Sequence, residues 1–244
     1  IQIIPYPLST FTSPFTYAKY MQKLLRFVFL DFLNTLRSEH MGAIKGAEYI
    51  NRLNQLNNEV WFDGVKVEGL LSEHPAFKGL LQTKASLYDL QHDPKIKNDM
   101  TFTSPTSGEP VGLSYLQPKT KEDLQKRRKM IEHWARHTNG ILGRSPDYLN
   151  SVLMSFASSK SLFEGEENCF PENLQAFFEL ARENDLTLTH TFVSPQVNRS
   201  QFYIENTEEP IAAKIVGENE EGLIIKGARL LATQGGLTDE VLVV

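Results

Sequence analysis

Asp185-Leu186-Thr187-Leu188-Thr189-His190-Thr191-Phe192-Val193 is the stretch at which this 244-residue chain changes character. Upstream of it, apolar residues recur at helical spacing. From Thr187 to Val193, Thr, Leu, Phe and Val follow one another as in a strand. Strand-like runs then continue at 211–216, 222–225 and 240–244. Helices first and strands afterwards predict an α+β protein: an N-terminal helical domain followed by the start of a β domain, with the boundary near residues 186–200. The strand pattern is still running at Val244, so the rest of the β domain is expected beyond it.

Working back from the switch, Pro171 to Asn184 reads as a helix opened by proline. Ser145-Pro146-Asp147 reads as another helix start, with Ser145 as N-cap, Pro146 in the first turn and Asp147 complementing the helix dipole. Thr120 caps a long helix running to about Gly140, which Gly143 ends. His74-Pro75 opens a helix through about Gln91 that buries Phe77, Leu80, Leu81, Leu87 and Leu90. Residues 60–67 form a hairpin around Asp63-Gly64, and 46–56 form a first helix. Residues 101–103 and 111–113 flank a Ser/Pro/Gly loop. Residues 1–40 hold five of the fifteen Phe and three of the eight Tyr and differ in character from the remainder of the chain. They are taken as a non-family extension, with Met41 as a natural start, 41–190 as the helical domain and 191–244 as part of the β domain.

The net charge of -5 gives no basic face for nucleic acid. The one basic cluster, Lys126-Arg127-Arg128-Lys129, reads as a solvated helix face. A single cysteine, Cys169, excludes an intrachain disulfide within this sequence and fits a cytoplasmic setting. No run of about 18 apolar residues suggests a membrane span. His133 and His137 lie four apart but lack the context of a zinc motif, so no metal is expected.

The chemistry gathers at Gly143-Arg144-Ser145-Pro146-Asp147-Tyr148-Leu149-Asn150 and downstream of the switch. Arg144 lies between two helices, where it either caps the preceding helix or holds an anion or phenolate. Tyr148, four residues on, either shares that pocket or is a half-buried aromatic with a wet hydroxyl. His190 is either a satisfied structural histidine or a site residue. Gln196, Asn198 and Arg199 are loop residues or donors for the polar edge of a flavin or a pyrophosphate. Gly235-Gly236 after Thr233 is only a weak phosphate-loop signal.

Six segments together carry a resemblance. They are Gly46-Ala47-Glu48-Tyr49, Leu87-Tyr88-Asp89-Leu90-Gln91-His92-Asp93-Pro94, the 143–150 stretch, Glu183-Asn184-Asp185-Leu186, Pro195-Gln196-Val197-Asn198-Arg199 and Gly227-Ala228-Arg229-Leu230-Leu231-Ala232-Thr233. In this order they resemble the oxygenase component of the 4-hydroxyphenylacetate 3-monooxygenase family, the two-component FADH2-dependent phenol hydroxylases, from about Met41 to Val244. The resemblance implies an acyl-CoA dehydrogenase-like fold: a helical domain, a central β-barrel and a C-terminal helical bundle, with this chain ending before the bundle. It implies a cytoplasmic homotetramer in aromatic catabolism that receives reduced FAD from a separate NAD(P)H-flavin reductase. With O2, it would hydroxylate 4-hydroxyphenylacetate or a similar phenol ortho to its hydroxyl, giving a catechol. It places Arg144, Tyr148 and His190 on the substrate hydroxyl, His190 also in proton transfer, and Gln196, Val197, Asn198, Arg199 and Thr233 against FAD.

Two departures leave the phenol open: Ser200-Gln201-Phe202-Tyr203-Ile204 stands where many members have a proline-rich loop, and Gln234-Gly235-Gly236 replaces a Phe-Pro type sequence. Two other readings remain. One is an inactive fragment. The other is an FAD lyase related to 4-hydroxybutyryl-CoA dehydratase, whose iron–sulfur cluster would need more cysteine than Cys169.

Overall fold

The computed structural model of the chain describes residues 42–56, 58–166, 169–195, 212–219 and 222–243. The extension assigned to 1–40 lies outside them. Two compact units emerge, and the chain leaves the larger after Thr189 and returns to it at Gln234.

The larger unit comprises 42–189 and Gln234–Val241. Its helices are α1 (Gly46–Gln55), α2 (Pro75–Asp89), α3 (Lys97–Met100), α4 (Lys121–His137), α5 (Asp147–Ser158) and α6 (Pro171–Glu183). The hairpin of β1 (Trp61–Phe62) and β2 (Val65–Lys66) turns through Asp63 at φ 51° and Gly64 at φ 76°. Left-handed backbone at both turn positions matches the twist of the strands, as the Asp-Gly pair predicts. A second antiparallel ribbon joins β3 (Thr101–Thr103) to β4 (Pro110–Gly112).

Two apolar clusters stand out among the described residues of this unit. Ile44, Tyr49, Leu53, Leu81, Tyr88 and Leu237 form one, between α1 and α2. Leu87, Met100, Leu113, Met130 and Trp134 form the other, against α4. Among the described residues, no helix is long and apolar enough to cross a membrane.

The smaller unit contains β6 (Lys214–Asn219) and β7 (Gly222–Lys226), an antiparallel pair with a bulge between Ile215 and Gly217. β5 (Leu188–Thr191) pairs with β8 (Glu240–Val243). Helices followed by antiparallel strands make the described chain a mixed helix-and-strand protein.

Three local expectations need correction. α4 stops at His137, not Gly140, because Asn139 and Gly140 take φ of 52° and 72° and close the helix. Ser145 is not an N-cap: α5 begins at Asp147 with Pro146 as the capping residue. The Ser145 hydroxyl donates to Asp147 Oδ1 and so is turned away from the helix N–H groups. Arg127 is not on a solvated face. It lies on one stripe with Met130 and Trp134, is 8% exposed, and donates Nη1 to the carbonyls of Ser114 (2.6 Å) and Leu116 (2.9 Å). Its paraffinic stem continues the apolar stripe while the guanidinium donates into the turn at its end.

Candidate functional site

The Arg144 junction is held from below. Leu142 packs into the α4 cluster, and α5 buries Leu149, Leu153, Met154 and Ala157. Asn150 Nδ2 donates to Ser114 Oγ (2.9 Å), and Arg127 Nη2 donates to Ser151 Oγ (2.5 Å). On this support the Arg144 guanidinium lies 4.4 Å from the centre of the Tyr148 ring, four residues along. A guanidinium at this distance is attracted to the ring face. Arg144 Nη1 donates to its own neighbour's carbonyl, Gly143 O, at 3.2 Å, while the α4 carbonyls of Trp134, Ala135 and Arg136 accept from the amides of Thr138, Gly140 and Asn139. Its Nε is buried and has no acceptor among the described residues. Tyr148 is 38% exposed. Arg144 and Tyr148 therefore form one unit: a fixed cation with donor capacity to spare, beside a phenol reachable from solvent.

His190 belongs to the smaller unit, on β5. Its ring is stacked on Phe192 with centroids 4.8 Å apart and planes 4° apart. Thr191 Oγ1 donates to Leu230 O (2.7 Å), and Leu230 N donates to Val193 O (2.8 Å), so the strand carrying His190 is tied to the 228–233 segment. Beside it, Arg229 Nη1 donates to Ser194 Oγ (3.0 Å), while Arg229 Nε is buried without an acceptor among the described residues. Thr233 is exposed and follows Leu231, which takes φ of 62°. Gln196, Val197, Asn198 and Arg199 lie outside the described residues. The residue that the spacing did not bring forward is Arg229. It stands inside the quoted 227–233 segment, and only the fold shows its unmatched donor.

The family profile described as "4-hydroxyphenylacetate 3-hydroxylase N terminal" matches residues 45–244. The chain belongs to this family. It is 60% identical over 203 residues to a probable 4-hydroxyphenylacetate 3-monooxygenase of Bacillus subtilis (strain 168), covering 83% of this chain and 42% of the relative. A solved oxygenase component of 4-hydroxyphenylacetate 3-monooxygenase, complexed with FAD and 4-hydroxyphenylacetate, superposes at a TM-score of 0.72. That match is 41% identical and covers 82% of this chain and 40% of that one. An archaeal 4-hydroxybutyryl-CoA dehydratase from N. maritimus, 19% identical, superposes at 0.67 over 82% of this chain and 39% of that one, a likeness of fold alone. The chain thus spans about 40% of the length of the relatives it matches.

Several of the segments that mark the 4-hydroxyphenylacetate 3-hydroxylase family turn out to be buried polar framework. The Gly46 amide donates to Asp89 Oδ1 (2.9 Å), Tyr88 Oη meets Thr187 Oγ1 (2.6 Å), and Gln91 Nε2 donates to Asp185 Oδ2 (2.6 Å). Glu183 accepts from Ser104 Oγ (2.6 Å), Ser107 Oγ (2.5 Å) and Arg182 Nε (2.7 Å). Asp185 also accepts from the Ile44 amide (3.2 Å). Burial nevertheless outweighs these donors and raises its carboxyl to about 6.

A folded pKa above the unfolded value of ~3.9 means that Asp185 stabilises the fold fully below that pH and loses the contribution as pH rises through about 6. Glu240, raised to about 7 by burial and by Asp239, acts in the same direction. The unfolding free energy in urea is therefore expected to fall between pH ~4 and ~7, Asp185 contributing on the order of 2–3 kcal/mol of that fall. Asp185→Asn should flatten much of the slope; an unchanged slope would show that this carboxylate does not titrate in that range.

Proposed function

We propose that the protein is the oxygenase component of a two-component, FADH2-dependent monooxygenase that hydroxylates a phenol ortho to its hydroxyl, with 4-hydroxyphenylacetate or a close analogue as substrate. The observation that carries this reading is the Arg144 guanidinium held over Tyr148 with its Nε unmatched, in a chain whose solved relative is complexed with FAD and 4-hydroxyphenylacetate. The larger unit would be the helical domain of an acyl-CoA dehydrogenase-like fold. The strands after Thr189 would be the opening of its β-barrel, and the helical bundle would come later in the protein. A homo-oligomer, a separate NAD(P)H-flavin reductase and a cytoplasmic setting belong to the same proposal.

An aromatic ring accepts an electrophilic oxygen ortho to its hydroxyl more readily as that hydroxyl approaches phenolate. The site must therefore stabilise negative charge on the phenol oxygen. Arg144 supplies a permanent cation for it and Tyr148 a hydroxyl donor. His190, stacked on Phe192, takes the phenol proton as the ring is attacked; the attacked carbon then releases its own proton to solvent as the ring regains aromaticity, and His190 returns the first proton to the phenol oxygen.

For the flavin, the residues present fit: Arg229 has a buried donor to spare, Thr233 is exposed, and Phe192 and Leu231 expose apolar surface at 58% and 75%. Gln196, Val197, Asn198, Arg199 and Thr233 would hold it. Bound reduced FAD would supply two electrons so that one atom of O2 enters the ring and the other leaves as water. With only Cys169 in this sequence, the lyase reading lacks the thiolates its cluster would need here.

The test is product analysis. The protein expressed from its whole gene, given reduced FAD, O2 and 4-hydroxyphenylacetate, should yield the 3,4-dihydroxy product. Reduced FAD that is merely oxidised, with no catechol from any 4-substituted phenol, would contradict the assignment. Tyr148→Phe should lower kcat/KM about tenfold, the loss of one hydrogen bond to a charged oxygen. Steady-state kinetics with the same phenol checks it.

A further inference from the structure

Lys84 is the least expected residue of the core. It lies on α2 between Leu81 and Leu87, is 1% exposed, and faces the Tyr49 ring at 5.1 Å. A buried ammonium ordinarily requires a carboxylate partner. Here the nearest carboxylate field is that of Asp239, whose Oδ2 is already paired with Arg52 Nη2 at 3.0 Å. Lys84 Nζ instead donates to Gln234 Oε1 at 2.8 Å. Burial brings its pKa down to about 7, Asp239 opposing. On stability alone an apolar side chain would serve better at this position.

Gln234 itself is held in a conformation that non-glycine residues avoid, with φ of 66°. Its turn is pinned: Leu237 N donates to Gln234 O (2.9 Å), and Tyr49 Oη donates to Leu237 O (2.9 Å). Lys84 offers donors, so the amide presents its oxygen to Lys84 and turns its NH2 the other way. That NH2 donates to the backbone carbonyl of Arg144, at 3.2 Å, across 90 residues of sequence. Two unfavourable features, a buried lysine without a carboxylate and a left-handed glutamine, thus meet at one bond to the junction carrying Arg144.

We propose that Lys84 and Gln234 are a positioning pair for Arg144: Lys84 orients the Gln234 amide, and the amide fixes the backbone from which the guanidinium reaches the phenol oxygen. The proposal rests on the assignment of Arg144 to the phenol oxygen. It also gives a role to Gln234, where this chain departs from the sequence expected of the family.

Three variants of the protein expressed from its whole gene test it. Gln234→Glu keeps an oxygen for Lys84, as a full ion pair, but loses the donor and sets a carboxylate against the Arg144 carbonyl. Lys84→Met keeps the volume and removes the amine. Both should fold with a thermal midpoint at or above that of the wild type. Both should lose about tenfold in kcat/KM, since a small displacement of a charged donor costs rate steeply. Most of the loss should appear in KM. Calorimetry on the flavin-free protein should show the same rise in Kd for 4-hydroxyphenylacetate, and the double variant should lose no more than either single one.

Arg144→Ala separates the two levels of the argument. If it abolishes turnover while folded Gln234→Glu and Lys84→Met keep wild-type KM and Kd, the positioning pair is wrong and the role of Arg144 stands. If Arg144→Ala itself turns over normally, both fall. Should Lys84→Met fail to fold, Gln234→Glu alone decides.

Discussion

Arg144→Ala is expected to lower kcat/KM for phenol hydroxylation by about 10²-fold or more, the usual cost of removing a donor aimed at developing negative charge. The fold should survive. The Arg144 side chain is only half-buried, donates among the described residues to Gly143 O, and lies against the Tyr148 ring. Losing that stacking costs about 1 kcal/mol, which leaves a cooperative unfolding transition in place. His190→Ala should have an effect of similar size if His190 is the proton acceptor proposed above. Rapid-mixing assays with pre-reduced FAD, with circular dichroism on the same samples, check both. Normal turnover in both folded variants would remove the phenol-site assignment.

The largest stability effect is expected from Gly46→Ala. Gly46 opens α1 where the helix crosses α2, and a Cβ there would lie 2.3 Å from the Ala85 carbonyl oxygen and 2.6 Å from its carbon. These are backbone atoms of a packed helix, so relief requires moving α1 away from α2. That movement would break the Gly46 amide bond to Asp89 Oδ1 and loosen Tyr49 and Leu53 in the core. The cost should be about 3 kcal/mol, the upper end for overpacking, far above any gain in helix propensity. Gly79→Ala is the control with the opposite sign. Gly79 sits inside α2 with nothing within 4 Å of an added Cβ, so alanine should stabilise by about 0.5–1 kcal/mol. Urea denaturation of both variants measures the pair; equal stabilities would mean that α1 and α2 do not cross so closely.

What the sequence made legible was local. Asp63-Gly64 encodes its hairpin, Thr120 with Asp123 closes a capping box, and the change at Thr187 marks the turn from helices to strands. The short spacing of Arg144 and Tyr148 also put them within reach of one another, although Arg144 lies in the turn before α5 and not on the helix. Contacts over long separations were hidden. Arg127 looked like one more charge in a basic run, and only the turn at Leu113–Tyr115 gives its guanidinium a reason to be buried. Lys84, inside the helix expected from His74 to about Gln91, finds its acceptor in Gln234, 150 residues later. Asp185, inside one of the segments that carry the resemblance, accepts from Gln91 and Ile44, 94 and 141 residues away. In each case the missing information is a partner that no local pattern announces.

The most direct measurement is a double comparison of binding, of 4-hydroxyphenylacetate against phenylacetate in wild type and in Arg144→Ala. If Arg144 with Tyr148 forms the wall that holds the phenol oxygen, wild type should favour the hydroxylated ligand by about 1.5–3 kcal/mol, the worth of a hydrogen bond to a charged group. The preference should largely vanish in Arg144→Ala. An undiminished preference for 4-hydroxyphenylacetate in the variant would contradict the account, because the phenol oxygen would then be held by other groups.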